Sequence, residues 1–69
     1  MIDNLQQLMK TGWLLEVSAE AGGKYKATVW RGRRGCSHNY MGGSVLDALR
    51  GLDRYVGSPS AIEYRKQGA

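Results

Sequence analysis

Trp13-Leu14-Leu15-Glu16-Val17-Ser18-Ala19-Glu20, a break of Ala21-Gly22-Gly23, then Lys24-Tyr25-Lys26-Ala27-Thr28-Val29-Trp30-Arg31: these residues decide the fold. Both runs alternate with a period of two, the period of a pleated strand. In the first, Trp13, Leu15, Val17 and Ala19 point one way, and Leu14, Glu16, Ser18 and Glu20 the other. In the second, Tyr25, Ala27 and Val29 oppose Lys24, Lys26, Thr28 and Trp30. Glycine tolerates positive φ, so the Gly-Gly break predicts a tight reversal and the two runs a β-hairpin.

Working outward, Gly32-Arg33-Arg34-Gly35 predicts a second turn and Cys36–Met41 a third strand, stopped by Gly42-Gly43. Ser44 then has the position of an N-cap, with Asp47 three residues later. Val45, Ala48, Leu49, Leu52 and Val56 form an apolar stripe at helical spacing, ended by Gly57 and Pro59. Gly51 inside that stripe lowers helix propensity and points to a close approach to the sheet. Upstream, Leu5, Leu8 and Met9 share one face of a short helix capped by Asp3, with Gln6 in capping-box spacing.

The expected fold is therefore α+β, in the order α-β-β-β-α. It is a three-stranded antiparallel meander with two helices packed on one face. Residues 1–57 form a single compact domain, and 58–69 a C-terminal tail that is either a short helix or mobile. The covered face takes Trp13, Leu15, Val17, Tyr25, Ala27 and Val29. The open face shows Leu14, Glu16, Lys24, Lys26, Thr28 and Trp30, with Asn39 and Met41 from the third strand.

At 69 residues the chain holds one modest core and no room for a two-lobed cleft. Its hydrophobic share of 42% is that of a globular chain. No apolar run approaches the length of a membrane span, the N-terminus has no signal-peptide pattern, and Cys36 is the lone cysteine. These features predict a cytoplasmic protein without a disulfide or a membrane partner. The net charge of +4, with a pI near 9.6, leans toward polyanionic partners.

The residues Gly23, Tyr25, Ala27 and Val29, then Gly35-Cys36-Ser37, then Gly43-Ser44 with Asp47-Ala48-Leu49, resemble the HicB-type antitoxin fold over residues 13–56. That resemblance implies a small bacterial or phage protein that binds and blocks a protein partner. The order of elements is also similar to the double-stranded-RNA-binding domain. That family uses its inter-strand loop and lysines opening its last helix. Here the loop is Ala21-Gly22-Gly23, and the helix opens Ser44-Val45-Leu46-Asp47 without a lysine.

Several residues could carry chemistry. Arg31, Arg33 and Arg34 form the densest charge, and guanidinium forks between glycines suit phosphate oxygens. Lys24, Lys26 and Trp30 share the open face, about 6–7 Å apart at each step of two residues. There the indole could stack a base. These six are the expected nucleic-acid-binding residues. Cys36 and His38 also share a face, but a zinc site needs four ligands and no further Cys or His completes one. A Cys–His nucleophile would need direct contact, an orienting group and an oxyanion site. The glycines before Ser44 are not followed by the lysine of a P-loop. The expectation is thus a non-catalytic binding module without metal or cofactor. Its partner is nucleic acid, RNA or DNA, or alternatively a protein target. The open sheet edges also admit a homodimer.

Overall fold

The computed structural model describes residues 2–32 and 36–67. The elements are α1 (Asp3–Lys10), β1 (Leu14–Glu20), β2 (Lys24–Arg31), β3 (Cys36–Gly42), α2 (Val45–Val56) and α3 (Pro59–Gln67). The sheet is an antiparallel meander in the order β1-β2-β3. The hairpin register is Leu14↔Trp30 through Glu20↔Lys24, and the next pair runs from Tyr25↔Gly42 to Arg31↔Cys36. Gly22 and Gly23 sit at φ of 80° and 73°, in the left-handed region that closes the first hairpin.

Strand alternation sorts the residues as the sequence predicts. Ala27 and Val29 are fully buried, joined by half-buried Leu15, Val17 and Tyr25. From the helices, Leu5, Ala48, Leu52 and Val56 close the same core with no exposed surface. Burying each such Leu or Val side chain contributes roughly 1.5–3 kcal/mol. Trp13, just before β1, is 6% exposed and completes this layer.

Two local expectations change. Val45 and Met9, placed in the helical stripes, are 45% and 46% exposed, because each lies at the end of its helix beyond the reach of the core. Asp3 is the first helical residue rather than the cap. Ile2 takes the N-cap position with no side-chain hydrogen bond, and the Gln6 amide donates to the Ile2 carbonyl at 3.0 Å. Of the two alternatives for the tail, the structure shows the helix. Ser58 Oγ accepts from the Ala61 amide at 3.3 Å, and Pro59 occupies the first helical position, where its missing N–H costs nothing. The Ser44 cap is as expected, its hydroxyl accepting from the Asp47 amide at 3.1 Å.

The two principal helices are fastened by a carboxylate. Asp53, only 8% exposed on α2, accepts from the Leu5 amide at 2.9 Å and from Asn4 Nδ2 at 3.5 Å. Asn4 Nδ2 also donates to the Asp53 carbonyl at 3.1 Å. The cap that α1 lacks locally is thus supplied from 48 residues away, at the positive end of its dipole. No helix among the described residues is long and apolar enough to cross a membrane.

Candidate nucleic-acid interface

Among the described residues no helix covers the second face of the sheet, and the register fixes its rows. Leu14, Trp30 and Ser37 lie abreast at one end. Glu16, Thr28 and Asn39 follow, then Ser18, Lys26 and Met41, then Glu20 and Lys24. Trp30 is half-buried in the central strand, Lys26 lies two rows along the same strand, and Thr28 stands between them. Ser37 and Asn39 put polar side chains beside them on β3, and Leu14 and Met41 are 54% and 47% exposed. The face therefore offers an indole, two ammonium groups and short hydrogen-bonding side chains in one plane.

Its charge is graded. Glu16 and Glu20 stand on β1, directly opposite Thr28 and Lys24, so the β1 edge is acidic and β2 is basic. An anionic chain on this face is favoured along β2 and β3 and repelled from β1.

The structure brings together three of the six predicted residues. Lys24, Lys26 and Trp30 share the open face. Arg31 has the opposite parity: it pairs with Cys36 and projects from the rim of the helix side. The pleat, not the adjacency of Arg31 to Trp30 in sequence, decides this. Arg33 and Arg34 lie outside the described residues.

Cys36 and His38 do share the covered face, and both are buried there. Cys36 is 9% exposed and His38 3%, so both side chains lie in the interior. The His38 ring stacks on Trp13 at 5.8 Å between centroids. It meets the rings of Tyr55 and Tyr64 edge-on, each at 5.4 Å. Arg65 Nη1 stands 3.3 Å from His38 Nε2. A guanidinium only donates, so Nε2 is the acceptor and the neutral ring carries its proton on Nδ1. Burial first, and the Arg65 charge second, hold the His38 pKa below its ordinary 6.5. The cluster pins α3 to the sheet through aromatic contact and one charge-assisted hydrogen bond. Tyr64 and Arg65 therefore pack on the helix side, on the face opposite Trp30. Among the described residues no group of His, Cys, Asp and Glu could hold a metal.

One concavity lies along the β3 edge. A groove of about 390 Å³ runs between Tyr40, Met41 and Gly42 of β3 and Asp47, Arg50 and Arg54 of α2. Gly51 floors it, and a Cβ there would overlap the Tyr40 ring. Arg50 and Arg54 are not among the predicted residues. Their signal is their i, i+4 spacing on the polar side of the α2 stripe, which without a facing strand reads as a solvated surface.

No family model, no curated protein and no solved structure matches this chain.

Proposed function

We propose that this protein is a non-catalytic module that binds nucleic acid on the open face of its sheet. Trp30 stacks a base. Lys24 and Lys26 meet phosphates, and Arg31, with Arg33 and Arg34 following it in the sequence, adds positive charge beyond Trp30. The observation that carries this reading is a partly exposed Trp30 on the central strand of an uncovered face, in line with two lysines. Aromatic platforms beside a positive track are how sheets hold single-stranded nucleic acid. The net charge of +4 supports the same partner class. The interior position of Cys36 and His38, with Nε2 committed to Arg65, supports a binding role over a catalytic one.

The test is titration with single-stranded RNA, single-stranded DNA and duplexes at low salt, followed by tryptophan fluorescence and anisotropy of a labelled oligonucleotide. Trp30→Ala is expected to weaken binding by about 1–3 kcal/mol, the contribution of one stacked base. Lys24→Gln with Lys26→Gln is expected to flatten the salt dependence, by about 0.7 in log–log slope for each phosphate no longer neutralised. Wild-type fluorescence that stays unchanged with every nucleic acid removes this reading.

A second reading rests on Leu14, 54% exposed directly beside Trp30. An apolar pair on an open face also suits a protein partner, as the HicB-type resemblance implies. Leu14→Thr separates the two, since it removes the apolar half of this pair from a protein partner without adding a charge beside Trp30 or the lysine track.

A further inference from the structure

The groove between β3 and α2 has features that the core does not require. Arg50 and Arg54 stand one helical turn apart on its wall, both exposed. Among the described residues neither makes an ion pair. Like charges at this spacing destabilise a helix by roughly 0.2–0.5 kcal/mol, so an anion held between them would relieve a repulsion that the fold carries. Tyr40 forms the facing wall and is 44% exposed. Its ring lies over Gly51, at a place where any side chain would displace it. The floor thus sets the ring as a flat apolar surface beside two guanidinium groups. Asp47 stands on the same wall, three residues before Arg50 on the helix, and its carboxylate can accept a hydrogen bond from a sugar hydroxyl or a base amine.

Met41 joins this groove to the open face. It lines the groove and is also the cross-strand partner of Lys26. Positive groups therefore flank β3 on both sides, with Lys26 on the open face and Arg50 and Arg54 on the helix side. A flexible strand can turn over the β3 edge and reach both; a rigid duplex cannot wrap a single strand edge.

We propose that this groove is a nucleotide subsite for single-stranded nucleic acid. Arg50 and Arg54 clamp one backbone phosphate, the adjoining base lies on Tyr40, and the chain crosses the β3 edge from the lysine track. The proposal rests on the nucleic-acid reading of the open face and adds a strand path and a preference for single strands.

The experiment measures the affinity and salt dependence of labelled 12-nucleotide oligo(dT), oligo(U) and a DNA duplex by anisotropy. The proteins are wild type, Arg50→Gln/Arg54→Gln, Gly51→Ala and Lys24→Gln/Lys26→Gln, each checked for a native thermal melt. Arg50→Gln/Arg54→Gln is expected to weaken single-strand binding at least tenfold and to lower the salt slope by about 0.7, one phosphate. Gly51→Ala, which leaves every charge in place but pushes the Tyr40 ring aside, is expected to weaken binding with an unchanged salt slope. Resonances of Tyr40 and Met41 should shift in wild type on adding oligonucleotide. If the arginine variant binds as wild type while the lysine variant is weakened, the groove proposal falls and the open-face reading stands. Binding of the duplex as tightly as the single strand overturns the strand path alone. Should wild type bind none of the three probes, both readings fail, and a protein partner becomes the explanation of the open face.

Discussion

Asp53→Ala tests the clasp between the helices most directly. The substitution removes the acceptor of the Leu5 amide, 2.9 Å away, at a place where Leu5 itself has no exposed surface. A hydrogen bond to a charged group contributes about 1.5–3 kcal/mol, and leaving its buried donor unpaired costs a similar amount. The carboxylate also sits at the positive end of α1, where a partly buried charge contributes up to about 2 kcal/mol. These effects overlap, since one pair of groups produces them all, so a net loss of about 2–3 kcal/mol is expected rather than their sum. A chain of this length has about 3–10 kcal/mol in total. The loss should lower the melting temperature by about 8–24 °C at about 4–8 °C per kcal/mol. Urea unfolding followed by far-UV circular dichroism reads the change. Asp53→Asn keeps a neutral acceptor and should lose less than Asp53→Ala. A melting temperature for Asp53→Ala within about 2 °C of wild type, below the range for even 1 kcal/mol, would show that α1 does not depend on this cap.

Gly57→Ala should weaken the same clasp from the other side. Its backbone accepts alanine, but the new Cβ overlaps the Asn4 amide, so the expected cost is about 0.5–1.5 kcal/mol, the contribution of one neutral hydrogen bond. A destabilisation by Gly57→Ala that persists unchanged in an Asn4→Ala background would contradict this route. Leu52→Ala, at a position with no exposed surface, is expected to cost about 2–5 kcal/mol by chemical denaturation. His38 gives the fold an acid sensitivity. Its folded pKa lies below 6.5, so between that pKa and 6.5 the unfolded chain binds more protons. Stability should rise with pH through that window, level off above it, and be lost as pH falls. His38→Phe should remove this component when urea midpoints are compared between about pH 8 and about pH 5. An identical pH dependence in wild type and variant would refute it.

The hairpin is legible in the sequence because every level agrees: two alternating runs, two adjacent glycines able to take positive φ, and Val29 and Ala27 on the same parity as Leu15 and Val17. Gly51 is legible for a similar reason, as a residue unfavourable to its helix is retained only where something must come close. Arg31 is misplaced when the sequence there is read as a charge cluster, because the pleat continues through it to Cys36. Periodicity also gives direction without depth, and for that reason it assigns Val45 and Met9 to a core they do not reach. The tail carries a usable signal in Ser58-Pro59, a cap followed by a residue suited to the first helical turn, but the same proline also serves as the end of α2 and hides it. Asp53, Arg65 and the Arg50–Arg54 pair cannot be placed from sequence. A carboxylate that caps a helix 48 residues away has no local mark, and an arginine looks solvated until the strand or ring that faces it is known.

The alternation within β1 and β2 also separates two kinds of inheritance. Positions such as Val17, Ala27 and Val29 answer to packing, and their immediate neighbours Glu16, Thr28 and Trp30 answer only to whatever lies outside. A descendant of this chain could exchange the outward set wholesale for other strand-tolerant residues, acquiring a different recognition code without renegotiating its interior. The same arrangement makes the hairpin a ready scaffold for a randomised library. In such a library, selection for a new ligand and selection for folding would act on alternate letters of the same words.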